Sequence, residues 1–302
     1  MSPGLARLRA WLQASRLPSQ SYIALPLLLG QFLAVHATGG ALRMGTLVAV
    51  QLFGMLDQLF IVYANDWADQ ETDRRNRTAT VFSGGSRVLV EGRLSPRALG
   101  TAAIACAVML VGVSVGLAVV LRAPLLGVLA VAAVALLWAY SYPPLRLSYR
   151  GGGELLQMLG VAGVLPLYGY LAQGGALADF PWALTAMLLP THLACSIATA
   201  LPDEPSDRDS GKHTLPVRVG GERAAWVIVA LNGLTWALAP RGLASVGLEV
   251  GAVLWVPVAA TLAVVGVRPA PPGSWRIQLR VAAAITATLA MVAWPLLGLA
   301  WP

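Results

Sequence analysis

Cysteine is almost absent from this chain, charge is scarce, and lysine occurs once. The two cysteines, Cys106 and Cys195, both fall inside apolar runs. Two such thiols make neither a disulfide framework nor a metal site, and each reads as a small buried hydrophobe. Charged residues supply only 12% of the chain, against about 25% in soluble globular domains, which excludes a soluble globular fold. The arginine-rich segment around Arg7, Arg9 and Arg16 lacks a small-residue cleavage site, so no cleavable signal is expected.

What is abundant is apolar surface. Of 302 residues, 57% are hydrophobic, and the mean hydropathy is +0.69. The composition predicts an all-α, polytopic membrane protein, with residues 1–302 forming one membrane domain. Apolar runs near the ~20 residues needed to cross a bilayer fall at 21–37, 42–64, 96–121, 124–142, 154–172, 180–201, 222–239, 244–267 and 277–299. Nine spans are expected, the third and fourth separated only by Arg122 and Pro124. Pro26, Pro166, Pro190 and Pro257 lie inside spans, where kinks are tolerated if neighbours satisfy the freed backbone groups. Residues 4–17 interleave apolar and basic side chains and are too short and too charged to span. They predict an interfacial helix ending before Pro18, within an interfacial segment 1–20.

The basic residues are unevenly placed. Arg43, Arg122 and Arg241 fall on one side of the nine spans. The other eighteen, from Arg7 to Arg280, fall in the N-terminal segment and in the loops after even-numbered spans. The positive-inside rule makes that second side cytoplasmic and leaves the C-terminus, Trp301-Pro302, outside. The same asymmetry accounts for the net charge of +7 and pI ≈ 10.0 without a nucleic-acid partner.

Chemistry concentrates at the ends of two spans. Asn65-Asp66-Trp67-Ala68-Asp69-Gln70-Glu71-Thr72-Asp73 closes the second and opens a motif loop at 66–95. At 3.6 residues per turn, Asp66, Asp69 and Asp73 share a helical face, with Asn65 beside them. Carboxylates so placed repel unless a cation lies between them, and an all-oxygen ligand set points to Mg2+ rather than zinc. The plainer alternative is a solvated helix end. A second motif loop, 203–221, follows the sixth span and carries Asp203 and Asp207 at i, i+4. Pro205 is compatible with a helix that starts close by. Both clusters lie at one membrane face, and each is followed by Arg or Lys. Mg2+ binds through a few carboxylates plus phosphate oxygens, so the pair suits a metal-bridged diphosphate whose remaining charge the basic residues neutralise.

Other residues have two readings each. Lys212 is the one lysine among twenty arginines, and His213 beside it reads either as a general base or as a structural loop residue. Tyr140, Ser141 and Arg146 flank Pro143-Pro144, which stiffens the turn. They are aimed at a diphosphate or serve as an interfacial anchor. Asp57 lies inside the second span, two turns before Asn65; an intramembrane carboxylate is a functional candidate by default, or it is simply protonated or bonded to a neighbour. Ser83-Gly84-Gly85-Ser86 lacks the Gly-Lys-Ser/Thr ending of a P-loop and reads as a cap over the cytoplasmic mouth.

Asn-Asp-x-x-Asp-x-x-x-Asp at 65–73, Asp-x-x-x-Asp at 203–207 and nine expected spans together resemble the UbiA-type intramembrane prenyltransferase superfamily. The resemblance implies about nine helices around a central lipid-open cavity, and Mg2+-dependent transfer of an isoprenyl chain from a prenyl diphosphate to an aromatic or other lipid-building acceptor. It implies Asp66, Asp69, Asp73, Asp203 and Asp207 as metal ligands, with Asp66, Asp69, Asp203 and Lys212 central to catalysis. Asn65, Arg74, Tyr140, Ser141, Arg146 and Arg208 are then expected to bind substrate. The stretches 82–96, 140–147 and 211–220 are similar to the branch that prenylates dihydroxynaphthoate in menaquinone synthesis, and somewhat to the chlorophyll-synthase branch. Leu201-Pro202 departs from it, standing where that branch carries a polar stretch, and Asp57 is a second departure. Two rival readings remain at this point: a membrane terpene cyclase of the same fold, which uses the diphosphate alone, and an ion-coupled transporter or lipid-binding scaffold. Transporters place their sites near the bilayer midplane within internal repeats, whereas these clusters lie at the interface.

Overall fold

The apolar runs fold as helices, and most end at a residue that leaves the helical region. The computed structural model describes residues 2–251, 255–266 and 269–301. Helix α1 (Pro3–Ala14) is capped by Ser2 and stops at Arg16, whose φ is 42°. A 3-10 turn, Leu17–Gln20, leads into α2 (Ser21–Thr38), which Gly39 closes at φ 62°. Then follow α3 (Met44–Ala68) and the short α4 (Gln70–Arg75). Helix α5 (Pro96–Val120) is capped by Ser95, and α6 (Leu125–Ser141) begins after a turn at Arg122, φ 54°. Beyond α7 (Leu147–Arg150), α8 (Gly153–Met158) and α9 (Leu165–Ala172) are joined by a π-helical turn, Leu159–Val164. Pro166 has no N–H to return to the carbonyl four residues back, which favours the wider turn just before it. The chain continues through α10 (Trp182–Ala200), α11 (Glu204–Asp209), α12 (Leu215–Val219), α13 (Gly221–Ala244), α14 (Trp255–Gly266) and α15 (Trp275–Ala300).

Seven helical stretches among the described residues are long and apolar enough to cross a membrane, and α6 and α14 are shorter apolar helices. Together they occupy the nine expected spans. Two boundaries differ from expectation. The interfacial helix ends at Ala14 rather than 17, because Arg16 turns left-handed ahead of Pro18. The eighth span does not start at 244: Ala244 closes α13, and Gly247, at φ 72°, turns the chain so that the Leu248 N–H reaches the Leu243 carbonyl at 3.0 Å. That is a glycine-terminated helix end, hidden in sequence because its neighbours are apolar. Helix α14 begins at Trp255; residues 252–254, 267 and 268 of that expected span and its loop lie outside the described residues, as does Pro302. Arg280, assigned above to a loop, is buried within α15, where its Nη1 meets Glu222 of α13 at 3.0 Å.

The main core runs through α2, α3, α9, α10 and α15. Its tightest seam joins α2 and α9. A Cβ on Gly30 would fall 1.9 Å from the Pro166 carbonyl oxygen, and one on Gly169 would fall 2.2 Å from that of Leu27. The backbones themselves are in contact, as small residues permit in membrane helix pairs. Beside this seam the Phe53 ring of α3 stacks on Tyr168 of α9, centroids 3.9 Å apart. Two smaller clusters, one binding α1 to α3 and α5 and one joining α10, α13 and α15, complete the end that carries the motif loops.

Candidate active site at the motif end

The two acidic stretches meet. Helix α3 stops at Ala68 because Asp69 leaves helical geometry (φ −98°, ψ 14°), and α4 resumes at Gln70. Backbone bonds span the bend, from the Asp69 N–H to the Asn65 carbonyl and from the Asp73 N–H to the Asp69 carbonyl, both 2.9 Å. The helix carrying the acidic face is thus bent at Asp69, while Asp66 and Asp73 still converge on one point beside Gly85. The bend lets neighbouring carboxylates reach different partners and so relieves their mutual repulsion. Asp66 pairs with Arg16 and accepts from the Ser86 hydroxyl and, at 3.1 Å, from the Ser86 N–H. Asp69 accepts from Lys212 Nζ at 2.8 Å and from the Tyr149 hydroxyl at 3.2 Å.

The second cluster is built on a 3-10 turn, Leu201–Asp203, running into α11. Asp203 accepts from Asn76 Nδ2 at 2.7 Å and from the Gly84 N–H at 3.1 Å. Asp207 lies 3.6 Å from Lys212 Nζ and accepts from Thr214 Oγ1 at 3.4 Å. Lys212 therefore bridges the clusters, one carboxylate from each, with its side chain 9% exposed. Its own N–H donates to the Asp207 carbonyl at 2.8 Å, which fixes where the side chain starts.

The loop 83–86 caps the site by an unexpected means. Gly84 and Gly85 have φ of 78° and 71°, a conformation that glycine adopts without steric cost. The loop amides then serve the carboxylates: Gly84 reaches Asp203 and Ser86 reaches Asp66. A Cβ on Gly85 would fall 2.2 Å from Asp73 Oδ2 and 3.3 Å from Asp66 Oδ1. Burial, followed by the charges of Asp69 and Asp66, raises the Asp73 carboxyl to about 7. Burial works against the Lys212 charge, yet Asp69 and then Asp207 outweigh it and hold the ammonium well above its ordinary value.

Does this set fit a divalent metal? Among the described residues, no three His, Cys, Asp or Glu side chains are placed to hold one ion between them. Mg2+ does not need that, since it is bound by one or two carboxylates together with phosphate oxygens and water. The donor set is all oxygen, and the buried Asn65 Oδ1 has no hydrogen-bond partner. Gly85 leaves open the space between Asp73 and Asp66 that any side chain would fill. On these observations the residues fit.

The structure gathers Asn65, Asp66, Asp69, Asp73, Asp203, Asp207 and Lys212 at this end. Ser141, at the end of α6, is buried with its hydroxyl unpartnered, and Tyr140 lies within electrostatic reach of Lys212. Arg146 stacks on the Tyr149 ring at 3.5 Å, so it reaches the site through that tyrosine. Two arginines are not brought in. Arg208 pairs with Glu204 at 2.6 Å on its own helix, its side chain 57% exposed. Arg74 lies 3.7 Å from Glu71 and lines, with Arg75, Arg77 and Ser206, a cavity of about 510 Å³ beside the clusters. The Arg208 pairing follows from an i, i+4 carboxylate on a short helix, while Glu71 bonds mainly to Arg75, at 2.9 Å. His213 is exposed. Sequence reading missed Arg16, Asn76, Ser86 and Tyr149. Arg16 carried a signal, as a basic residue at the bend before Pro18, and Ser86 another, as part of the Ser-Gly-Gly-Ser cap.

The UbiA prenyltransferase family model matches residues 23–278. A homogentisate phytyltransferase of Synechocystis is 26% identical over 200 residues, 63% of this chain and 60% of the relative, so the match spans less than two thirds of that relative's length. A UbiA homologue from Archaeoglobus fulgidus, solved bound to GPP and Mg2+, shares the fold with a TM-score of 0.70. It is 16% identical over 96% of this chain and 99% of the homologue. An apo UbiA homologue from Aeropyrum pernix gives a TM-score of 0.67 at 17% identity, covering 92% of this chain and 97% of the homologue.

Proposed function

The chain belongs to the UbiA prenyltransferase family and is an integral membrane protein, and from that premise we propose that it transfers an isoprenyl group from a prenyl diphosphate to an aromatic, quinone-precursor-like acceptor, with Mg2+. The observation that carries this reading is the bridge Asp69–Lys212–Asp207 between two acidic clusters at one end of an apolar bundle. Bound Mg2+ would supply electrostatic stabilisation of the diphosphate leaving group. Asn65, Asp66, Asp69, Asp73, Asp203 and Asp207 would hold it. Lys212, already aimed between the clusters, donates to the same leaving group and stabilises the charge that develops as the allylic carbon–oxygen bond breaks. The apolar helices below exclude water from the cation. An electron-rich ring carbon then attacks, and the ring loses a proton, or carbon dioxide where the acceptor carries a carboxylate at that carbon.

Support for the donor comes from family homologues solved with GPP and Mg2+ and with DMAPP and Mg2+. Support for the acceptor class comes from the phytyltransferase relative, whose named acceptor is a dihydroxylated aromatic acid. The arginine asymmetry supports a cytoplasmic motif end and N-terminus with the C-terminus outside. The test is diphosphate release by purified protein with farnesyl, geranylgeranyl or longer diphosphates and Mg2+, with and without dihydroxynaphthoate or homogentisate. Release that depends on acceptor and on Mg2+, with a prenylated aromatic product, is expected. Acceptor-independent release with a cyclic hydrocarbon would replace this reading by a terpene cyclase.

A further inference from the structure

Asp57 is a buried carboxyl that the diphosphate chemistry leaves unused. It sits mid-way along α3, eight residues before Asn65 and so about 12 Å farther from the motif end along the helix axis. Its side chain is only 3% exposed, and its Oδ1 has no hydrogen-bond partner. Neighbouring polar groups on this part of α3 have found theirs: Gln58 donates to Ser19, and Tyr63 shares a hydrogen with Ser15 at 2.9 Å. Asp57 is thus a buried carboxyl inside an apolar bundle with an unfilled acceptor oxygen, an arrangement that costs stability unless something completes it.

The levels above and below it narrow what that something can be. One turn farther from the motif end, Phe53 is stacked on Tyr168, whose hydroxyl is already bonded to Ser114 at 2.8 Å, and Gly54 is packed against Leu27. That level is filled. Towards the motif end, Asn65 Oδ1 and Ser141 Oγ are also buried without partners, and the Tyr142 hydroxyl donates to the Ala64 carbonyl at 2.7 Å, docking the end of α6 on α3. Three unpartnered polar atoms therefore belong to one stretch of α3 and the adjoining end of α6. A prenyl tail and a lipid chain carry no hydrogen-bond donor, so neither completes Asp57. A second carboxylate there would be repelled. A phenolic hydroxyl satisfies it.

We infer that Asp57 accepts a hydrogen bond from a hydroxyl of the aromatic acceptor and selects acceptors that carry one at the end remote from the diphosphate. This deepens the transferase reading and rests on it. A dihydroxylated ring is shorter than the rise of about 12 Å from Asp57 to Asn65, so its reacting carbon would lie between those two levels of α3. Asp57 orients the ring and takes no proton from it.

The test uses full-length protein in detergent, as wild type, Asp57→Asn and Asp57→Leu. Each is assayed with dihydroxynaphthoate and homogentisate, and with the matching analogues that lack the hydroxyl distal to the reacting carbon. For the hydroxylated acceptor that the wild type prenylates, Asp57→Leu should raise the acceptor KM about 10- to 100-fold. Donor KM and use of the deoxy analogue should stay unchanged, and Asp57→Asn, which keeps an acceptor oxygen, should fall between. Because Leu removes an unpaired buried carboxyl, Asp57→Leu should also melt at a temperature equal to or above the wild type's. A structural carboxyl would give a lower one. An unchanged acceptor preference, an equal loss on both acceptors, or a shift in preferred prenyl length overturns the inference while leaving the transferase reading standing. A wild type that prenylates no aromatic overturns both.

Discussion

Replacing Lys212 with methionine keeps the length of the side chain and removes its charge. The ammonium sits 2.8 Å from Asp69 and 3.6 Å from Asp207, and both sides of the closer pair are more than nine-tenths buried. Breaking a buried pair by deleting one partner costs about 3–5 kcal/mol, because the other charges are left without compensation. In a protein of this size each kcal/mol moves the melting temperature by roughly 2–4 °C, so Lys212→Met should melt roughly 6 °C or more below the wild type in detergent without divalent ions. Adding Asp69→Asn removes one stranded carboxylate and should recover at least about 1 kcal/mol, a coupling that a double-mutant cycle isolates. Mg2+ at millimolar concentration should narrow the gap, the outcome expected of the proposed metal site. Turnover should fall by about 10²- to 10³-fold, the usual cost of losing one donor to a developing anion. Melting curves that coincide within about 1 °C, or no recovery from Asp69→Asn, would refute the claim that Lys212 holds the two clusters together.

Three further outcomes are expected. Asp69→Asn alone should abolish acceptor-dependent diphosphate release while circular dichroism and gel filtration stay unchanged; near-normal turnover would remove Asp69 from the metal–diphosphate site. Gly85→Ala should be far more damaging than Gly92→Ala. Both positions have positive φ, but only at Gly85 does a Cβ meet a carboxylate, at 2.2 Å, while at Gly92 nothing lies within 4 Å. Equal melting points for the two variants would show that the loop does not press on Asp73. Finally, the Asp73 carboxyl is raised from 3.8 to about 7 in the folded protein. A raised carboxyl contributes stability that is fully present below its unfolded value and is lost as pH rises through its folded one. Without divalent ions, stability should therefore decline between about pH 4 and pH 7, and Asp73→Asn should flatten that decline; an identical pH profile in the variant would exclude Asp73 as its source.

Much of this architecture was legible because a bilayer leaves the chain few choices. Runs near span length must be helices, and the nine expected runs are where the apolar helices lie. The residue identities at 65–73 and 203–207 likewise announced an oxygen-rich site. What stayed hidden was set by single backbone torsions or by tertiary pairing. The turn at Gly247 looked like the start of a span because its neighbours are apolar. The bend at Asp69 is selected by partners far away in sequence, Lys212 and Tyr149. Arg208 and Arg74 were expected at the diphosphate from proximity along the chain; Arg208 pairs with Glu204 on its own helix, and Arg74 lines the cavity beside the clusters. Arg16 was read as part of a surface anchor, and its reach into Asp66 depends on the left-handed turn that ends α1.

The seam between α2 and α9 bears on how a hydrophobic substrate travels. With Gly30 against the Pro166 carbonyl and Gly169 against that of Leu27, no layer of side chains lies between the two helices to rotate aside. Parting them by the width of an isoprenoid chain would expose two backbones to hydrocarbon and forfeit close contact along the whole crossing. That side of the bundle is in effect welded. A prenyl donor entering from the bilayer would therefore have to pass between other helices than these two.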